Sequence, residues 1–294
     1  MKISLHPLHY FLIPLFLFLS ISSSFGWGPK GHEIVNQAAI NKAPIGGRTF
    51  PSFFKNRENI AWIIFLALEP DRWREGGESE LKASESANHY LDFELIKEMD
   101  LPRDRMAAVE RYIANGNKAG EVGYLPYTIL ELFEKLKVSF RTYRDAKKSG
   151  QPTLPVERSA VYHAGVLGHY VADGSVPLHV TVKFDVWKGE NPNGYRTEKG
   201  LHVKFEDEFV KKFVPLASVQ SMIGAPRLLE DPPKAVNDLL RDSFSFVETI
   251  YQMEKGGELD KPSEGTKAFV AKRLALGSQM LLDLWWTAWK KSDS

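Results

Sequence analysis

The chain of 294 residues contains no cysteine. That excludes disulfide crosslinks, thiolate metal sites and a lipoprotein cysteine. Net charge is almost absent as well: 38 Lys and Arg stand against 37 Asp and Glu, leaving a formal +1. No global field then recruits nucleic acid or an acidic surface, so a phosphate-directed activity needs a local source of positive charge. No strongly basic amphipathic face exists to support a membrane-surface binder. Strand-like alternation is scarce, and internal repeats and low-complexity linkers are missing. After the N-terminus no run is apolar enough to span a membrane. What remains is an ordinary globular balance, 43% hydrophobic and 26% charged, sufficient for a sizeable core.

The first 26 residues read as a leader rather than as part of the fold. "MKISLHPLHYFLIPLFLFLSISSSFG" has one early Lys, an apolar run from Tyr10 to Leu19 and a small, Ser-rich end. That run is shorter than the roughly 20 residues a membrane span needs. Ser24 and Gly26 are small residues where a signal peptidase reads. The expectation is a signal peptide over 1–26, cleaved after Gly26, and a secreted or periplasmic mature protein; the alternative is an uncleaved anchor. Cleavage there would make Trp27 the first residue, its free α-amine five residues before His32 and a potential metal ligand.

From Trp27 onward the patterns are helical. "HEIVNQAAI" spaces its apolar residues at helical intervals, and "ENIAWIIFLALEPDRW" reads as a buried helix ending near Pro70. "LPYTILELFEKLKVSFRTYRDAKKSG" is long, amphipathic and closed by Gly150. "VERSAVYHAGVLGHYVADG", "LHVKFEDEFVKKFV", "AVNDLLRDSFSFVETIYQMEKGG" and "GTKAFVAKRLALGSQMLLDLWWTAWKK" complete the series. The expected product is one all-α multi-helix domain over 27–294. Nothing implies a protein partner, and a monomer is expected.

Potential ligands are concentrated in "HYVADGSVPLH", residues 169–179. His169 and Asp173 are four apart, on one face of a helix, and His202 and Glu206 repeat that spacing. Asp71 sits in "EPDRWR" and His89 in "ANHYLDFE". A histidine and a carboxylate at i, i+4 offer nitrogen and oxygen ligands to a borderline metal, zinc being the first choice. Each pair taken alone has an ordinary reading, a helix-surface ion pair, and Asp173 before Gly174 could simply end a helix. Their joint occurrence in a helical, cysteine-free chain favours metal binding. His163 lies off that face and reads as structural or as a support behind the ligands.

The ordered pieces "WGPKGH", "DRWR", "NHYLDFE", "HYVADGSVPLH" and "HVKFE" resemble the S1/P1 nuclease and zinc-dependent phospholipase C superfamily. The resemblance runs from Trp27 to about Glu206, and "LLDLWW" resembles the last helix of that fold. It implies an all-α domain carrying three zinc ions in a cleft. Asp71, His89, His169 and Asp173 would hold one ion, and His179, His202 and Glu206 a second. Trp27, through its amine and carbonyl, would hold the third with His32, with Asp173 shared between the first and third. The implied chemistry is zinc-assisted attack of water on phosphorus, with Asp71 and Arg74 as catalytic residues.

Three features resemble the nuclease branch: the "WGxxGH" start, Arg74 three residues after Asp71, and the 23-residue step from His179 to His202. Tyr90 and Asp92 fall where nucleases contact a base, although phospholipases carry a similar run. Glu206, in place of the Asp usual in nucleases, points instead to the phospholipase pattern. The resemblance therefore implies a nuclease acting on single-stranded nucleic acid, with a phospholipase C acting on phospholipid head groups as the alternative. A non-catalytic zinc-binding helical protein is the second alternative, and it would require closed four-ligand sites.

Overall fold

A computed structural model describes residues 26–44, 50–97 and 101–293. The expected leader, apart from Gly26, lies outside the described residues. Among them the chain is all-α, with no β-sheet, and no helix is long and apolar enough to cross a membrane.

The helices follow in chain order. They are α1 (Pro29–Lys42), α2 (Arg57–Leu66), α3 (Glu69–Gly76), α4 (Ser79–Ser86), α5 (Arg105–Ala114), α6 (Leu125–Lys148) and α7 (Leu154–Gly174). Then come α8 (Leu201–Val203), α9 (Phe209–Phe213), α10 (Leu216–Gln220), α11 (Pro232–Phe244), α12 (Val247–Lys255) and α13 (Glu264–Lys290). Together they form a single all-α domain.

Helix α7 is the centre of the bundle, packed against α1, α2, α6 and α13. Its sequence explains the position. Ala160, Ala164, Gly165, Gly168 and Ala172 are small and buried, so neighbouring backbones approach closely. A Cβ at Gly168 would run into the Asn36 side chain of α1. Asn36 in turn donates from Nδ2 to the Ile63 carbonyl at 2.8 Å and the Gly165 carbonyl at 3.0 Å. It ties α1, α2 and α7 together, and each carbonyl left unpaired would cost about 1–3 kcal/mol. Near the middle of α7, Trp285 of α13 is fully buried, edge-on to Phe54 at 5.3 Å, and donates to the Ala164 carbonyl at 3.2 Å.

Several elements differ from the expectation. The helix of the apolar stretch does not continue through Pro70: α2 closes at Leu66, near Pro70 as expected, and Pro70, which lacks an N–H, sits in the opening turn of a separate helix, α3. Nor is α2 buried on all sides: only Ile63 and Leu66 are buried, while Trp62 and Phe65 are each 48% exposed. The stretch after Asp231 likewise splits at Ser245 and Phe246 into α11 and α12. Finally, "LHVKFEDEFVKKFV" is not one regular helix, because a π-helical turn over Lys204–Glu208 separates α8 from α9.

A candidate metal centre and its cleft

The centre is assembled where α7 ends. His169 and Asp173 project one turn apart from its last turns, both fully buried. Asp71 enters from the first turn of α3, where the helix N-terminus favours a carboxylate. A 3-10 turn over Ala87–His89 delivers His89, and a second over Pro177–His179 delivers His179. The two turns are fastened by Leu91 N–H to the His179 carbonyl at 3.0 Å and Phe93 N–H to the Val180 carbonyl at 3.3 Å. Helix α1 supplies His32, whose ring stacks on His169 at 4.0 Å. The π turn supplies Glu206, and widening the helix there fits the habit of such turns to lie at functional sites.

These side chains form three buried groups that could hold metal ions: His32, His169 and Asp173; Asp71, His89 and His169; and His179, His202 and Glu206. Within each group the ligand atoms all lie within 4.8 Å of one another. Asp173 joins them. Its Oδ2 is 3.0 Å from His89 Nδ1 and 3.3 Å from His169 Nε2, while Oδ1 is 3.5 Å from His32 Nε2 and 3.8 Å from His179 Nδ1. Glu206 meets His202, which in turn lies 3.1 Å from His179 between their Nε2 atoms.

Outer contacts set the tautomers. His169 Nδ1–H donates to the Ala67 carbonyl at 2.8 Å, and His179 Nδ1–H donates to the His89 carbonyl at 2.6 Å. Each leaves an Nε2 lone pair aimed inward, the arrangement metal-binding histidines share. Asp185 Oδ1 accepts from Gly200 N–H at 2.8 Å and His202 N–H at 3.0 Å, fixing the start of α8. The turn after α7 is pinned through Ser175. Its hydroxyl accepts from the Trp27 indole at 2.9 Å, and its carbonyl accepts from buried Arg273 at 3.0 Å.

The donor set fits cations. Both ring nitrogens of His32, Asp71 Oδ2, His89 Nε2, Asp173 Oδ1 and both Glu206 oxygens are buried without a hydrogen-bond partner. So many lone pairs directed at one another are costly unless something positive lies among them. Burial, with His169 close by, pushes His32 down to about 3, and burial pushes His89 down to about 4, so both are neutral nitrogen donors. Burial also pulls His202 well down. Burial opposes ionisation of Asp173, yet the adjacent His169 and His179 outweigh it and hold the carboxyl well below its usual range. Burial and the Asp173 charge drive Glu206 well up.

A cavity of about 600 Å³ opens beside the groups, bordered by His89, His179 and His202 together with Arg74, Tyr90 and Asp92. Arg74 is 14% exposed and donates to Asp71 Oδ1 at 2.7 Å, rather than pairing with a surface Glu. The Tyr90 hydroxyl donates to the Gly120 carbonyl at 2.7 Å, which fixes the ring. Burial, with Glu94 second, raises Asp92 to about 7. His163 lies apart, 2.9 Å from Ser139 Oγ.

Trp27 is fully buried, its ring 5.5 Å from Phe205. The backbone just before it, at Gly26, lies against the ligands: a Cβ there would collide with Asp173 Oδ1 and stand 2.9 Å from His32 Nε2. Sequence reasoning missed the Ala67 carbonyl, Asp185 and Ser175, which carry no ligand spacing. No protein-family model matches the chain, and no curated protein matches it. Fold and site together define an all-helical protein with buried His, Asp and Glu clusters that could bind metals.

Proposed function

We propose that the protein is a secreted or periplasmic phosphodiesterase that uses three zinc ions and cleaves single-stranded DNA and RNA in the manner of the S1/P1 nucleases. The observation that carries this reading is the convergence of three buried nitrogen and oxygen donor groups beside one cleft that Arg74, Tyr90 and Asp92 also border. Asp71, His89, His169 and Asp173 would hold one ion, His179, His202 and Glu206 a second, and His32 with Asp173 and Trp27 a third. Ions there would supply Lewis acidity to a phosphodiester and to an attacking water.

The protein's own groups perform the rest. Arg74 presents a guanidinium whose fork matches phosphate oxygens. Asp71, 2.7 Å from it, orients that fork and the water. Tyr90 offers a fixed ring to an unstacked base, which a single strand provides and a duplex does not. Three histidines of the groups border the cavity, and this opening beside the ligands favours the reading over a closed storage site. Glu206 sustains a second reading, a phospholipase C.

The deciding experiment assays purified protein beginning at Trp27 on single-stranded DNA, RNA and phosphatidylcholine, with metal content measured. The expected result is strand cleavage that is lost with chelator and restored by zinc. Faster hydrolysis of phosphatidylcholine than of any nucleic acid would move the assignment to the phospholipase. Bound zinc without turnover would leave only a metal-binding protein.

The N-terminus gives a separate prediction. In the longer chain Gly26 occupies the space beside His32 and Asp173. Cutting after Gly26 frees that space and creates an amine at Trp27. A protein extended by one Met before Trp27 is expected to hold one zinc fewer per chain and to turn over at least tenfold more slowly, a loss of about 1.4 kcal/mol. Equal zinc and equal rate would refute a role for cleavage.

A further inference from the structure

The outward aromatic residues of α2 and His163 take no part in the metal centre, and they meet at one place. A cavity of about 620 Å³ lies between α2 and the first half of α7, bordered by Glu58, Asn59 and Trp62 from one helix and Arg158, Tyr162 and His163 from the other. None of its lining residues borders the cleft beside the metal centre. Trp62 is 48% exposed and Tyr162 42% exposed. Arg72 covers the neighbouring Phe65 ring at 4.1 Å, and Trp62 stands edge-on to Phe65 at 5.5 Å, so the indole is braced while half of it faces solvent. The polar groups are set as well. Ser139 Oγ–H donates to the Lys135 carbonyl at 3.0 Å and therefore accepts from His163 Nδ1–H at 2.9 Å. Burial, with Lys135 second, lowers the His163 pKa, so the ring is neutral and Nε2 is left as an acceptor. Asn59 Nδ2 donates to the Phe53 carbonyl at 2.8 Å, which fixes its amide.

We propose that this cavity is a saccharide-binding site, in which a neutral pyranose ring lies against Trp62 and Tyr162. A sugar ring has an apolar C–H face and a rim of hydroxyls that both donate and accept. It needs an aromatic surface beside fixed donors and acceptors. Here Arg158 supplies donors, Glu58 and His163 Nε2 supply acceptors, and the Asn59 amide offers both. Only Arg158 and Glu58 are charged among the lining residues, and neither forms an ion pair among the described residues. Their charges cancel, so the cavity has no field of its own to draw a phosphate, which disfavours a nucleotide. A wholly apolar ligand would strand the same polar groups away from water. A neutral ring rich in hydroxyls meets both demands. The site stands apart from the metal centre and does not depend on the reaction proposed there.

The test is calorimetric titration of the purified protein beginning at Trp27. The probes are glucose, the neutral hexasaccharides of cellulose, starch and chitin, and adenosine 5′-monophosphate. Wild type, Trp62→Ala and Trp62→Tyr are compared. At least one of the sugars should bind with a Kd below about 1 mM. Trp62→Ala should weaken that binding about tenfold, the scale of one aromatic contact, and Trp62→Tyr should keep most of it. Tighter binding of a hexasaccharide than of glucose assigns the site to a glycan chain, and equal binding assigns it to a free sugar. Since Trp62 is half exposed, both variants are expected to fold, which circular dichroism checks. Absence of saccharide binding at millimolar concentration, or an affinity untouched in Trp62→Ala, overturns the site. So does tighter binding of the nucleotide than of every sugar where Trp62→Ala abolishes it, because the cavity then takes a nucleotide.

Discussion

Replacing Asp173 by Asn is expected to remove metal from the protein and to abolish turnover. Asp173 is the carboxylate shared by the groups: fully buried, with His89 and His169 on one oxygen and His32 and His179 on the other. Asn preserves shape and volume, so the test is of charge and lone pairs, not of packing. It deletes a negative charge from a centre that would face three divalent ions with the carboxylates of Asp71, Asp173 and Glu206. It also turns an NH₂ toward nitrogens whose lone pairs point inward. The rate should fall by at least a thousandfold, about 4 kcal/mol in the barrier, and elemental analysis should show fewer zinc ions per chain. Because a ligand that binds only the folded state stabilises it, the melting temperature of the variant with zinc should drop toward that of chelated wild type. Full zinc and full turnover in Asp173→Asn would reduce the His169–Asp173 pair to a buried polar contact.

The parts of this site legible in the sequence are those that helix geometry makes local. His169 with Asp173, and His202 with Glu206, sit one turn apart, so their spacing alone placed each pair on one face. The pairing of Ala67 with His169 or Asp185 with His202 is tertiary: 102 residues separate the first two. No spacing rule reaches that far. The π turn at Lys204–Glu208 is hidden for a different reason, since "VKFEDEF" has the composition of any amphipathic helix and the extra residue per turn leaves no mark on it. In α2 the apolar run predicted burial on all sides, but the bundle has room for only one face, and Trp62 and Phe65 are left outward. The loop from Val182 to Gly200 was obscured by its glycines, proline and asparagines. Its order comes from Trp187 and Tyr195 reaching Tyr251 on α12, a contact that composition does not announce.

Arg74 carries the other large expectation, a loss of rate without loss of metal. It lies one helical turn after Asp71, borders the cavity and holds Asp71 Oδ1 at 2.7 Å. It has two functions to separate. As a partner of Asp71 it steers a carboxylate of the proposed centre, and in the proposed reaction its guanidinium would also meet the phosphate. Truncation to Ala removes both, and a positioned donor to developing charge is worth about 10²- to 10³-fold in kcat. Lys keeps the positive charge and so keeps Asp71 ionised, but it lacks the two parallel donors. Arg74→Lys is therefore expected to retain wild-type zinc, with kcat reduced by roughly tenfold or more. Tyr90→Ala gives the contrast: a stacking face acts on binding, so KM on single strands should rise about tenfold with a smaller change in kcat. Should Arg74→Lys lose zinc in proportion to rate, the arginine serves the metal centre through Asp71 and does not meet the phosphate. Should it change KM alone, it binds substrate equally in ground and transition states, and the stabilisation of the transferring phosphoryl group must come from elsewhere in the cleft.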